Sequence, residues 1–286
     1  MAKVVLSGYA TVDFIARAIG PITPAGTNEI EVAHSGWPRG GGAPLYAGDV
    51  LARAGHDVSL ICSLGDDASG DVYLEQVRHR KLQTETIEII PSARTPACVL
   101  IHQASGDYCC FLDSGSPWDG PLTEKQFKAV ERADWLVITA GPAKLTALML
   151  EHARADQKVA WLVKADARSF PPNLAGKLKA MADFVFCNRH ERDFLFASEH
   201  SVLCSAQTLF ETDGARGVRV VRGAHSSFHQ AKGVNTGDAT GAGDTFAGGA
   251  LSILIEESEA LVTAARAGMA AATGLLEERA SSGVIE

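Results

Sequence analysis

The residues best suited to chemistry lie together in "GDATGAGDTFAGG", residues 237 to 249, a run with five glycines, two aspartates and two threonines. So glycine-rich a stretch cannot be stabilised by its own packing, and it stands directly before an apolar, helix-like segment. The first N–H groups of a helix lack an intrahelical partner, and the macrodipole adds partial positive charge there. A glycine-rich loop leading into such an end is an anion site. At Gly241, Ala242 and Gly243 no side chain exceeds a methyl group, so the backbone can come close to a phosphate. Asp244 follows at once, and its carboxylate would repel a resting phosphate. One reading makes Asp244 a general base, taking the proton of a hydroxyl that attacks a phosphoryl group. The other makes it a first-turn or capping aspartate, stabilising by about 0.3–1 kcal/mol. On these residues alone the two readings are level. The run fits neither of two common phosphate loops: no lysine follows the glycines as GxxxxGK[ST] requires, and "GAGDTF" ends on phenylalanine where GxGxxG needs glycine.

A second candidate lies in "VKADARSF", where Asp166 and Arg168 follow an apolar run. Ligands gather at the ends of strands in open α/β sheets, so Arg168 could reach a phosphate or substrate oxygen. A surface ion pair between Arg168 and Asp166 accounts for the same residues. The nine histidines fall at no metal-ligand spacing, and the six cysteines form no CxxC pair. Several cysteines sit in apolar runs such as "SLICSL" and "DFVFCN", where the residue acts as a small buried hydrophobe.

These groups need elements to hold them. "KVVLSG" reads as a buried first strand, "PLYAGDVLARAG" as a helix stopped by Gly55, "DVSLICSLG" as a strand and "SGDVYLEQVRHR" as an amphipathic helix. From Ala133 the alternation resumes through "DWLVITAG", "KLTALMLEHARAD", "KVAWLVKAD", "PNLAGKLKAMA" and "DFVFCN". "ERDFLFA" and "AQTLFETDG" read as helical, "GVRVVRG" as a strand, and two apolar helices close the chain. Strands alternating with helices predict a mostly parallel central sheet with helices on both faces. "NEIEVAH", "ETIEII", "ACVLIHQ" and "YCCFL" are strand-like without following helices, and "ASGD" is a turn signal between the last two. They predict a small accessory β-sheet. The expectation is one α/β domain over residues 1–286, with lid insertions at about 28–36 and 85–113.

Composition narrows the partners. A formal net charge of -8 and a pI near 5.6 argue against nucleic acid or an anionic membrane held by bulk charge. No run reaches the roughly 18 apolar residues that span a bilayer, and the N-terminal residues do not read as a signal peptide. The expectation is a cytoplasmic protein with reduced thiols.

With the elements in place, "DATGAGDTFAGG" resembles the C-terminal signature D-T-x-G-A-G-D-x-F of the ribokinase-like (PfkB) family of sugar and nucleoside kinases. Further motifs follow in the family's order: "GYATVD" ending at Asp13, the glycines of "RGGGAPLYAGDVLARAG", "SLGDDASGD", the N-x-x-E of "CNRHE", and "VRVVRG" ending at Gly223. The resemblance runs from about residue 3 to about residue 276. It implies a kinase that moves the γ-phosphate of ATP to an alcohol of a monosaccharide or sugar acid, with a nucleoside kinase or a silent sugar- or nucleotide-binding regulator as alternatives. It implies Asp244 as catalytic base, with Gly241, Ala242 and Gly243 as the anion hole. It implies Asp13, Gly41 and Gly42 as contacts to substrate hydroxyls, joined by Arg168. Asn188, Glu191, Gly223, Thr240 and Gly243 are implied on the ATP side, Glu191 holding Mg²⁺ through water, although helix capping also explains Asn188. The dependence on a monovalent cation stays open. A lid of accessory strands implies a homodimer covering its exposed face or edge. The chain departs from the pattern at Tyr46, where asparagine is common, at Ala167, at "AHSS" after Gly223, and in the short segment from Gly223 to Asp238.

Overall fold

The structure, a computed structural model, describes residues 1–32, 37–103, 108–115, 120–197, 203–234, 236 and 238–281. The chain begins with β1 (Lys3–Ser7), whose burial on both sides suits the inside of a parallel sheet. It passes directly into β2 (Thr11–Ala18), then the short β3 (Ile30–Val32) and β4 (Arg39–Gly41). Next come α1 (Ala43–Arg53), β5 (Asp57–Gly65), α2 (Ala68–His79), β6 (Ile87–Ile90), β7 (Ala97–His102) and β8 (Tyr108–Asp113). Regular alternation follows: α3 (Glu124–Arg132), β9 (Trp135–Ile138), α4 (Ala143–Glu151), β10 (Lys158–Leu162), α5 (Pro172–Met181), β11 (Phe184–Asn188) and α6 (Arg189–Leu195). The last part holds β12 (Thr208–Thr212), β13 (Gly217–Arg222), β14 (His225–Gln230), α7 (Ala242–Glu256) and α8 (Leu261–Ser281).

Nine strands form the main sheet in the order β14-β13-β12-β11-β10-β9-β1-β5-β6. Every pairing from β12 to β6 is parallel, and β13 and β14 add an antiparallel edge. Two apolar layers sandwich it. One face packs Leu45, Leu51, Tyr73, Phe246, Leu251 and Ala264 of α1, α2, α7 and α8. The other packs Val130, Leu145, Met149, Leu178 and Leu195 of α3, α4, α5 and α6. Three glycines let α7 approach its neighbours closely. A Cβ on Gly248 would fall 2.8 Å from the Ala47 carbonyl of α1, one on Gly249 the same distance from Ala271 of α8, and one on Gly268 2.7 Å from the Phe246 carbonyl.

The second sheet has the order β3-β2-β7-β8, with β4 also paired to β2. β2 and β7 run parallel, while β7 and β8 form an antiparallel hairpin. The predicted "ASGD" turn of that hairpin lies outside the described residues. β2, at the centre of the second sheet, carries Asp13 within the strand. Two expectations need correction. "ETIEII" gives β6, which pairs in parallel with β5 in the main sheet, because Thr86 Oγ1 donates to the Leu60 carbonyl at 2.8 Å and Gln126 Nε2 to the Thr86 carbonyl at 3.0 Å. "AQTLFETDG" forms β12, not a helix, since Leu209 and Phe210 are buried on opposite faces of the sheet.

Candidate active site

The C-terminal ends of β1, β9, β10, β11 and β12 open into a cleft of about 1330 Å³, bounded by the N-terminus of α7 and roofed by β2, β7 and β8. That is where open parallel sheets bind ligands. Cys98, Leu100 and His102 of β7, with Tyr108, Cys110 and Leu112 of β8, alternate along their strands and so line the cleft from one face of the second sheet.

The α7 end is built by Gly241, which adopts φ 76° and ψ 0° as N-cap. That left-handed conformation favours glycine, and a Cβ there would also lie 2.6 Å from the Tyr46 ring. Tyr46 thus takes up the space under the loop. The Ala242 N–H is already bonded to the Ala239 carbonyl at 3.1 Å, and the Thr245 N–H to the Gly241 carbonyl at 2.8 Å. Among the described residues, the N–H groups of Gly243 and Asp244 have no backbone acceptor outside the helix. Of Gly241, Ala242 and Gly243, expected to form an anion hole, Ala242 thus has its N–H engaged within the loop, while that of Gly243 is not so engaged.

Asp244 stands in the first turn of α7 and lines the cleft. Burial pushes its pKa up, Lys164 opposes the rise, and Glu191 adds to it. Lys164, just beyond β10, lies with its Nζ 3.3 Å from Glu191 Oε1. Attraction to Asp244 is the first cause holding the Lys164 ammonium well above its ordinary pKa, against burial and with help from Glu191. Sequence reasoning passed over Lys164, because a lysine after a strand reads as a solvated charge.

Asn188 and Glu191 form a reciprocal capping box at the start of α6. The Glu191 N–H donates to Asn188 Oδ1 at 2.8 Å, and the Asn188 N–H to Glu191 Oε2 at 2.9 Å. Glu191 Oε2 is thereby used for capping, and Oε1 faces Lys164. Both residues line the cleft, so the structural and the chemical readings coexist. Among the described residues no group of three His, Cys, Asp or Glu side chains could hold a metal alone.

Asp13 and Gly41 meet directly. A Cβ on Gly41 would fall 2.0 Å from Asp13 Oδ2, so only glycine fits beside the carboxylate. Asp13 is 3% exposed, its Oδ1 accepts from Thr11 Oγ1 at 2.8 Å, and burial pushes its pKa up to about 6. Gly42, at φ 87°, caps α1 and also lines the cleft. Arg168 reaches the cleft rim, but its Nε pairs with Asp166 Oδ1 at 3.1 Å and its side chain is 71% exposed. Gly223 occupies the turn between β13 and β14, 3.5 Å by its Cβ position from the Ser205 carbonyl, and is not among the cleft-lining residues. That end of the cleft is lined instead by Thr212 to Arg216 and Thr236. The Thr240 N–H donates to Asp238 Oδ1 at 2.9 Å, which ties the loop before α7 into a turn.

Comparison with known proteins shows the family and the fold. The chain belongs to the pfkB carbohydrate kinase family, whose sequence pattern matches residues 1–284. It is 26% identical over 281 residues to a ribokinase of Staphylococcus aureus (strain COL), covering 92% of this chain and 89% of that protein. It superposes on the ribokinase of Cryptococcus neoformans var. grubii serotype A in complex with ADP with a TM-score of 0.78 at 19% identity, covering 97% and 94% of the two chains. For the Burkholderia thailandensis nucleoside kinase in complex with inosine the values are 0.75 and 16%, covering 98% and 93%. The fold is that of the ribokinase family, and the chain is a kinase of the sugar and nucleoside class. No described helix is long and apolar enough to cross a membrane.

Proposed function

We propose that the protein transfers the γ-phosphate of ATP to a hydroxyl, most suitably a primary one, of a monosaccharide or sugar acid. The observation that carries this reading is the pairing, in one cleft, of a half-buried carboxylate, Asp244, at a helix N-terminus with a buried one, Asp13, set against Gly41. In this reading the acceptor sugar hydrogen-bonds Asp13 and lies over Gly41 and Gly42. Asp244 Oδ takes the proton of the attacking hydroxyl, and the Gly243 and Asp244 N–H groups donate to the oxygens of the transferring phosphoryl group. Lys164 supplies positive charge beside the same atoms. Nothing in this arrangement forms a covalent intermediate, so positioning and electrostatics do the catalysis.

The donor chemistry around Glu191 fits Mg²⁺, a hard cation that takes oxygen ligands and keeps several waters. Glu191 would hold it through water, with the nucleotide phosphates as its other ligands. Bound Mg²⁺ would neutralise charge on those phosphates. Thr212 to Arg216 and Asn188 would then flank the nucleotide.

A nucleoside acceptor is the second reading, favoured by the apolar wall of Leu100 and Leu112 in the roof of the cleft. A panel of sugars, sugar acids and nucleosides with ATP and Mg²⁺, read as ADP release, separates the two. Turnover of none of them would overturn the kinase reading for this chain. A homodimer through the lid is part of the proposal: Val99 and Phe111 pair across β7 and β8 on the outer face, 39% and 63% exposed. Sedimentation giving only monomer at micromolar concentration would remove that part.

A further inference from the structure

Arg279, two residues before the end of α8, is 7% exposed and holds the loop that leads into α7. Its Nη1 donates to the Asp238 carbonyl at 3.3 Å and to the Thr240 carbonyl, and lies 3.6 Å from Asp238 Oδ2. Its Nη2 donates to Tyr46 Oη at 3.3 Å, and the guanidinium stands 5.7 Å over the centre of the Tyr46 ring. Arg39 of β4 pairs with the same Asp238 carboxylate at 2.7 Å. Burial would raise the Asp238 pKa, yet Arg39, Arg279 and Thr240 together hold it below its ordinary value.

Two backbone carbonyls and a carboxylate oxygen around one positive centre are the donor set that a hard metal cation takes. Here the charge belongs to the chain itself. The Thr240 carbonyl and the Gly241 N–H share one planar peptide unit, so fixing the first fixes the direction of the second. Tyr46 carries the other end of the guanidinium and packs under Gly241. One side chain therefore sets both the orientation and the height of the loop from which the free N–H groups project.

We propose that Arg279 is a positioning residue that serves as a built-in cation for the loop before α7, so that turnover needs no added alkali-metal ion. The proposal rests on the phosphoryl-transfer reading of that helix end. It is tested on the full-length protein with Arg279→Met, Arg279→Lys and wild type, by amide exchange and by kinetics. The Thr240, Ala242 and Thr245 amides are hydrogen-bonded in or next to this loop and report its order without substrate. In Arg279→Met they are expected to exchange faster, while kcat falls about 10- to 100-fold with little change in acceptor KM, as misplacement of catalytic groups produces. Guanidinium or potassium ions should restore part of that loss, and Arg279→Lys should lose less. Wild type should turn over equally in potassium and tetramethylammonium salts. Unchanged exchange in Arg279→Met, a potassium requirement in wild type, or a loss that no cation and no lysine restores would each overturn the proposal. If Arg279→Met does not fold, Arg279→Gln carries the same outcomes with a side chain that can still hydrogen-bond. Wild type that phosphorylates no acceptor would overturn the kinase reading, and the exchange result would still decide the role of Arg279.

Discussion

The Lys164 ammonium lies 3.3 Å from Glu191 Oε1, and the Asp244 carboxylate is the first cause of its raised pKa. One cation thus faces two carboxylates; burial raises the pKa of Asp244, Lys164 opposes the rise, and repulsion from Glu191 adds to it. As the proposed base, Asp244 would accept a proton only when ionised, so activity should be present above its pKa and lost as pH falls through it. Removing the Lys164 charge removes the effect that lowers that pKa. In Lys164→Met the acid limb of the kcat–pH profile should move to higher pH, and Lys164→Arg should leave it in place. Superimposable limbs in all three proteins would separate Lys164 from the base.

Asp244→Asn keeps the size of the side chain and removes its capacity to take a proton. General-base catalysis contributes about 10²–10⁴-fold, so kcat should fall by that order. ADP and ATP binding should persist or tighten, because one negative charge near the phosphates is gone. A capping aspartate predicts the reverse, a loss of stability under about 1 kcal/mol with kcat nearly intact. Turnover, nucleotide binding and melting temperature on this one variant distinguish the two.

Glu191→Gln should separate capping from metal chemistry. The glutamine carbonyl can still accept from the Asn188 N–H, so the start of α6 should survive. What disappears is the negative charge. The Mg²⁺ concentration for half-maximal rate should rise, and EDTA should abolish turnover of wild type. An unchanged Mg²⁺ response would take Glu191 out of the metal's surroundings.

Asp13 predicts an unusual dependence of stability on pH. Its folded pKa is about 6 against an ordinary 3.8, so between these values the folded state holds more protons than the unfolded one. Stability from this group is then complete below about pH 4 and declines as pH rises through 6. The shift corresponds to about 3 kcal/mol of destabilisation at neutral pH. Asp13→Asn should therefore raise the melting temperature at pH 7 while raising KM for the acceptor. If wild type and variant keep a constant stability difference from pH 4 to pH 7, the carboxyl does not titrate as described.

Much of this site was legible in the sequence. The run from Asp238 to Gly249, the N-x-x-E pair and Asp13 are local patterns whose residue types carry their own chemistry. What escaped were features that exist only across the fold. β12 looked helical because "TLFET" is buried on both faces and shows no period of two. β6 looked like part of the lid, since its parallel pairing with β5 and the bond from Gln126, 40 residues from Thr86, are invisible in a local strand pattern. Lys164 and Arg279 carried no local signal. Each acquires its role from partners far along the chain, Glu191 for the first and Asp238, Thr240 and Tyr46 for the second.

The glycine seams that join α1, α7 and α8 leave no room for even a methyl group at Gly248, Gly249 or Gly268. Overpacking at such a contact costs about 1–3 kcal/mol or more, and here the displaced element would carry Asp244. The face of the second sheet that looks into the cleft is less restricted: Leu100 packs on Ile15, but Cys98 and Leu112 are only half-buried and Cys110 is exposed. Freedom to vary is therefore unevenly shared between the two walls of the cleft. A mutational library built on Cys98, Cys110 and Leu112 should yield folded proteins with altered acceptor choice, whereas one built on the seam should yield few folded proteins of any kind. Recognition can drift in this molecule while the transfer machinery stays fixed.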